Sequence, residues 1–217
     1  MSETWIYHPH LDEHGRQVRL VEPSCEMNLA SLLDPHAGVT FIPGSRCFDL
    51  LNSVVFDSAQ SGAGEALHAG AATPVDEPPF VLPPGKRAAA GAVVLEPDGR
   101  LWLVAPSNAF GGYRATFPKG RVEPGASLQA TAIKEVWEES GLRVALTAWL
   151  GDFSRTQTYT RFYLARRIGG HPGDMGWESQ AVHLAPVSGA RELLNRDTDH
   201  AVLEAVLRFA RQAPGER

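Results

Sequence analysis

The chain is poor in cysteine and has no excess of positive charge. Only Cys25 and Cys47 occur among 217 residues. Their spacing fits no zinc-ligand pattern. The opening MSETWIYHPHLDEHGRQ lacks the basic and apolar regions of a secretory leader, so both are read as reduced, structural thiols of a cytoplasmic protein. No run of about 20 apolar residues occurs, which argues against a transmembrane helix. Lys and Arg total 20 against 25 Asp and Glu, a formal charge of −5. Such a balance does not suit a broad nucleic-acid or anionic-membrane binder. Any phosphate the protein handles must be met by a local cationic cluster or through a metal. Ser154 and Ser188 lack the context of a nucleophile elbow. No internal repeat is visible.

What is present is ordinary globular composition, 43% hydrophobic and 21% charged. The length suits one domain plus an appendage. Residues 1–73 read as an N-terminal extension of mixed, partly β structure, with strand candidates at Thr4–Tyr7, Gln17–Val21, Val39–Ile42 and Ser53–Phe56. Residues 74–85 hold five prolines and predict an extended linker. From 86 to 212 strand and helix patterns mix, which predicts an α/β or α+β domain. Ala88–Leu95, a Pro-Asp-Gly turn and Leu101–Val104 form a hairpin candidate. Further strands are expected at Arg143–Trp149, Arg161–Arg166 and Ala181–Leu184. Helices are expected at Ser188–Leu194 and His200–Arg211, the latter with Val202, Val206 and Phe209 on one stripe. Residues 213–217 are left as a tail.

The chemistry concentrates between Gly120 and Leu142. Ser127 can N-cap a helix over Leu128–Ser140, and Gly141 stands where a C-terminal glycine belongs. On that helix Glu135, Glu138 and Glu139 lie at i, i+3 and i+4 and share one face. Ala130, Ile133, Val136 and Trp137 lie roughly opposite and predict a core-facing side. Three carboxylates on one face repel each other, and Lys134 relieves this only in part. A hard divalent cation would resolve it, since Mg²⁺ bridges carboxylates to phosphate oxygens. A merely solvated acidic face is the plain alternative. Beside the helix stand Gly120, Gly125 and the cations Arg114, Lys119 and Arg121. Glycine lets a backbone approach a phosphate closely, and the set together suits a phosphate–metal site.

These residues resemble the signature of the Nudix hydrolase family. It runs here as Gly120, RVEPG, Ala126, SLQATAI, Lys134-Glu135, Val136, Trp137, Glu138-Glu139, Ser140, Gly141, Leu142. The flanks AAAGAVVLEPDGRLWLV, FPKGRVEPG and WESQAVHLAPV are similar to family segments too, so the resemblance covers residues 86–212. It implies a Nudix-like α/β/α sandwich with a mixed sheet. It also implies hydrolysis of a diphosphate linked to another moiety, with dinucleoside polyphosphates, nucleotide sugars and ADP-ribose as candidate substrates.

The resemblance further implies Mg²⁺ or Mn²⁺ on Glu135, Glu138 and Glu139, with Lys134 orienting the glutamates. Glu138, Glu139 or a downstream acid would accept the proton from attacking water, and Glu178 is the downstream candidate. Arg114, Lys119, Gly120 and Arg121 would meet the phosphates. Tyr113, Phe117, Tyr159 and Trp177 could stack on a base or sugar. Two positions depart from the signature, which has Glu at 126 and Arg at 134. Lysine keeps the charge of arginine but loses its fork. An active enzyme and a degenerate domain that binds a nucleotide-like ligand without catalysis both remain open. Residues 1–85 fall outside the resemblance, which implies either a lid or a homodimer interface for them.

Overall fold

A run of small residues allows one strand to be packed on both faces. The computed structural model describes residues 6–21, 29–45, 74–107 and 112–212. Within them β4 (Arg87–Leu95) is the central strand. It pairs in parallel with β8 (Thr158–Gly170), from Arg87↔Thr158 to Leu95↔Arg166. Its other edge is shared. The C-terminal end meets β5 (Leu101–Pro106) at Val94↔Trp102, and the N-terminal half meets β6 (Lys119–Arg121) at Ala89↔Arg121. The sheet continues from β5 to β9 (Ser179–Ala185) and ends on β3 (Val39–Phe41). On the far side β7 (Leu142–Ser154) pairs antiparallel with β8. A separate two-stranded sheet joins β1 (Tyr7–Leu11) to β2 (Gln17–Arg19).

Alternation along these strands divides two cores. Ala90, Ala92, Val94, Trp102, Val104, Tyr163 and Ala165 face one side, where Ala132 and Val136 of α2 (Leu128–Ser140) pack. Leu32 of the short α1 (Leu29–Leu33) joins them. Val93, Leu101, Leu103, Phe162 and Leu164 face the other side, against Ala190 of α3 (Val187–Leu193) and Val202, Leu203 and Val206 of α4 (Asp197–Gln212). The result is an α/β/α sandwich with a mixed sheet, as the resemblance implies. Each fully buried Leu, Val or Phe contributes about 1.5–3 kcal/mol through burial.

Helix α2 has the expected ends. The Ser127 hydroxyl accepts the Ala130 N–H at 3.1 Å, a cap worth about 1 kcal/mol. Gly141 takes φ +70°, its N–H reaches the Trp137 carbonyl, and a Cβ there would collide with the carbonyl of His171. The buried side differs from the sequence reading. Thr131, Ala132, Glu135, Val136 and Ser140 are buried, while Ala130 is exposed. Trp137 is only half-buried, with the Arg143 guanidinium 5.5 Å from its ring. On α4, Leu203 and Ala205 join Val202 and Val206 in burial, and Phe209 is 40% exposed rather than part of the stripe.

The Pro-rich segment is docked rather than a free linker. It holds no helix, and it lies against α2 and β8. The Val75 N–H donates to Gln129 Oε1 and the Gln129 amide donates back to the Val75 carbonyl, at 3.0 and 2.8 Å. The Tyr163 hydroxyl donates to Glu77 at 2.5 Å. Arg161 is 1% exposed and meets Asp152 through Nε and Nη2, both at 2.7 Å. Its Nη1 donates to the Pro78 carbonyl at 2.9 Å and lies 3.1 Å from Glu77. Phe80 covers the guanidinium at 5.0 Å. Cys25, Cys47, Ser53–Phe56, the small-residue stretch 62–72 and the tail 213–217 lie outside the described residues.

Candidate active site

Position 120 is a glycine because a carboxylate fills the space a side chain would take. β6 runs beside α2, and a Cβ on Gly120 would overlap the carboxyl group of Glu135. The glycine therefore admits an acidic side chain against the backbone. Next to it, the Lys119 N–H donates to Glu139 Oε2 at 3.1 Å. Glu135, 8% exposed, and Glu139 are thus drawn by one short strand to one spot. Glu138 stands on the solvent side of the same helix face. Glu178 lies at the entry to β9, in a segment tied to α2 by the bond from the Gly176 N–H to the Glu138 carbonyl, 2.7 Å.

The four carboxylates feel one another. Burial, then the charges of Glu138 and Glu178, push Glu135 up to about 7. Burial pushes Glu139 up to about 8 against the pull of Lys119, and the charge of Glu135 adds to the rise. Glu178 is raised by partial loss of hydration and by the charge of Glu138. Such values mark groups held where a cation would suit them better than water does. Among the described residues no three acids or histidines are already gathered into a cage for an ion. The donor set nevertheless fits one: hard oxygen ligands from two segments, on a chain that places two of them against a strand backbone.

Lys134 does not point into the cluster. Its ammonium lies 2.9 Å from Glu123 and 3.2 Å from Glu138, and these contacts, Glu123 first, raise its pKa. Glu123, three residues before Ala126, supplies the lysine with a carboxylate partner. Its link to Lys134 spans a loop whose path the sequence does not fix.

The remaining candidates scatter. Arg121 is exposed on β6. Arg114 is exposed and lines a separate cavity of about 320 Å³ with His36, Ser188 and Glu192, which none of the four glutamates borders. Phe117 is fully buried, edge-on to Phe162 at 6.2 Å, and belongs to the core. Tyr159 packs on Phe80 at 5.5 Å. The Trp177 carbonyl accepts the Ser107 hydroxyl at 2.6 Å. Tyr113 sits among cations, with Lys119 Nζ at 5.4 Å and the Arg196 guanidinium at 5.1 Å from its ring. Arg196 is a neighbour of the site that the sequence reading passed over, because it lies far along the chain in no motif.

A mixed sheet between helices, with an acidic helix laid against a glycine-bearing strand, is the architecture of the Nudix fold. A NUDIX domain model matches residues 85–208, more than half of the chain, and the chain belongs to that family. It is 32% identical over 98 residues to an RNA pyrophosphohydrolase of Caulobacter vibrioides, covering 45% of this chain and 54% of that one. A Mycobacterium tuberculosis relative carrying the mutator-protein name MutT4 is 36% identical over 89 residues, covering 37% of this chain and 35% of its own. The chain thus spans only a third to a half of these relatives. The solved structure of a NUDIX hydrolase from Nitrosomonas europaea matches with a TM-score of 0.50 at 16% identity, over 57% of this chain and 90% of that one. The last likeness shows the fold alone.

Proposed function

We propose that the protein hydrolyses a phosphoanhydride bond in a nucleoside diphosphate linked to another moiety. One observation carries the reading: Glu135 and Glu139 of one helix converge on the backbone of Lys119 and Gly120. Glu135, Glu138 and Glu139 would hold Mg²⁺ or Mn²⁺, which supplies charge neutralisation at the phosphates and an acidified water. The chain's own residues do the rest. The Lys119 N–H fixes Glu139 in place, and the Lys119 ammonium meets a phosphate oxygen. Gly120 leaves room for Glu135. Glu178, whose pKa is raised by partial burial and the charge of Glu138, accepts the proton from the attacking water. Lys134, held by Glu123, steadies Glu138 from outside the cluster.

The Glu123–Lys134–Glu138 contacts favour catalysis over the degenerate, ligand-binding reading. They show that Lys134 retains two carboxylate partners although the signature's own glutamate is Ala126. The test is formation of the two phosphate-bearing products, read by chromatography, with Mg²⁺ or Mn²⁺ from ADP-ribose, a nucleotide sugar, a dinucleoside tetraphosphate and a 5′-triphosphorylated oligonucleotide. Turnover of at least one, abolished in Glu139→Gln, is the expected result. Thermal stabilisation by these nucleotides with no product at high enzyme concentration would leave the degenerate reading in its place.

A further inference from the structure

The two-stranded sheet of β1 and β2 lies outside the family-matched residues 85–208, yet it reaches the loop that carries Glu178. Along β1 only His8 is buried, at 3% exposure. Its Nδ1 accepts the His10 N–H at 2.9 Å, which leaves the proton of the neutral ring on Nε2. Burial, with the charge of His10 adding to it, lowers the His8 pKa against the pull of the His10 and Gly176 backbones. The ring is therefore neutral at pH 7, and Nε2 is a buried donor on the Gly176 side that makes no hydrogen bond of ordinary geometry. A buried donor without an acceptor is costly, and the Gly176 carbonyl has a second lone pair to offer. The hairpin holds the same loop at a second point, where the Val21 N–H donates to Gln180 Oε1 at 3.0 Å.

Glu178 lies between these two contacts. The Gly176 carbonyl accepts the Ser179 N–H at 3.1 Å, which closes residues 176–179 into a turn. The Gly176 N–H donates to the Glu138 carbonyl and the Ser107 N–H to the Glu178 carbonyl, both at 2.7 Å. Helix α2 and the end of β5 thus hold the turn, and the hairpin adds a third hold. The tip of the hairpin acts on the same carboxylate, since the charge of Glu13 adds to burial and to the charge of Glu138 in raising Glu178. We propose that His8 is a positioning residue for Glu178: its Nε2–H pairs with the Gly176 carbonyl in solution, and together with Val21 it fixes the turn that presents the Glu178 carboxylate to the glutamates of α2. The inference rests on the phosphoanhydride-hydrolase reading above for the work that Glu178 does. The hairpin then serves as a fixed buttress of the site rather than as a lid or a dimer contact.

The test measures kcat and KM with Mg²⁺ in the full chain, on whichever of the four substrates above turns over fastest. His8→Leu should lower kcat about tenfold and leave KM within about twofold. His8→Gln, which keeps an N–H near the Nε2 position, should recover most of the loss. His8→Asn keeps an acceptor for His10 without that donor; it should behave as His8→Leu, and it stands in for that variant should His8→Leu not fold. In a Glu178→Gln background His8→Leu should change kcat less than about twofold, because the group it positions is gone. Val202→Ala, in the opposite core, should lower the melting temperature and leave kcat in place, which separates positioning from loss of stability. In parallel, amide hydrogen exchange without nucleotide or metal should be about tenfold faster at Ser179 in His8→Leu, with the amides of β8 unmoved. A kcat unmoved by His8→Leu, an equal loss in His8→Gln, a full loss in the Glu178→Gln background, or unchanged exchange at Ser179 would each overturn the proposal. A wild type that hydrolyses none of the substrates would instead overturn the hydrolase reading, and the exchange measurement would still decide whether His8 holds the turn.

Discussion

Two clusters of charge in this molecule follow opposite rules. Around Arg161, every partner is matched: two oxygens of Asp152, one of Glu77, the Pro78 carbonyl and the Phe80 face enclose one guanidinium. Glu135, Glu138 and Glu139 of α2 and Glu178 beside it crowd together, and the shifts of Glu135, Glu139 and Glu178 run upward. The first cluster fastens a segment to the domain. The second costs stability in the free protein, and under the proposed function a bound cation would offset that cost.

Glu139→Gln separates the two rules most sharply. Its kcat should fall by about 10³-fold or more, since a ligand and its placement are lost together. Its melting temperature without metal, read at pH 8, should rise, because the repulsion is relieved. Arg161→Met is the mirror case. It should cost about 3 kcal/mol in urea denaturation by leaving Asp152 and Glu77 without their cation.

Cutting the chain tests the docked segment itself. A protein beginning at Lys86 should melt about 5–10 °C below one beginning at Pro74, since Tyr163, Arg161 and Gln129 lose their partners. Equal melting of the two would reduce residues 74–85 to a passive connector.

The pH dependence of the metal-free protein has a defined sign. The folded-state pKa values of Glu135 and Glu139, about 7 and about 8, stand above the ordinary 4.5. The folded state therefore binds these protons more tightly than the unfolded chain. Their contribution to stability is full below about pH 4.5 and is lost as pH rises through 7 to 8. Melting curves across this range should show the decline, and Glu135→Gln with Glu139→Gln should flatten it. The smallest effect is expected at the outer pair. Glu123→Gln should lower kcat severalfold with little change in melting, and Lys134→Arg should leave kcat within about threefold.

Much of the site was legible because its signals are local. Ser127, the spacing of Glu135, Glu138 and Glu139, and Gly141 all act within one helix, and α2 runs where they place it. The strands were less so. β7 and β8 extend over 13 residues each, beyond the expected Arg143–Trp149 and Arg161–Arg166, because they pair with each other from Leu142↔Gly170 to Ser154↔Tyr159, with register shifts at Arg143/Val144, Leu146/Ala148 and Trp149/Gly151. β6 has three residues and exists only by pairing with β4, so its sequence reads as loop. The burial of Arg161 was hidden for the same reason: Glu77 and Pro78 reach it across more than 80 residues of sequence. Arg196 was missed because Asn195, not any motif, brings it to Tyr113.

The edge strand β3 has a consequence for how the chain acquires its shape. Thr40 bonds His183 at 2.9 Å across a sequence separation of 143. As the ribosome works from the amino end, β3, the first described strand of the main sheet to emerge, must wait for the last, β9, before its backbone groups find partners. Such distant pairing slows folding and leaves a bare strand open to neighbouring molecules in the meantime. Production of the protein should therefore gain from low temperature more than its final stability would suggest.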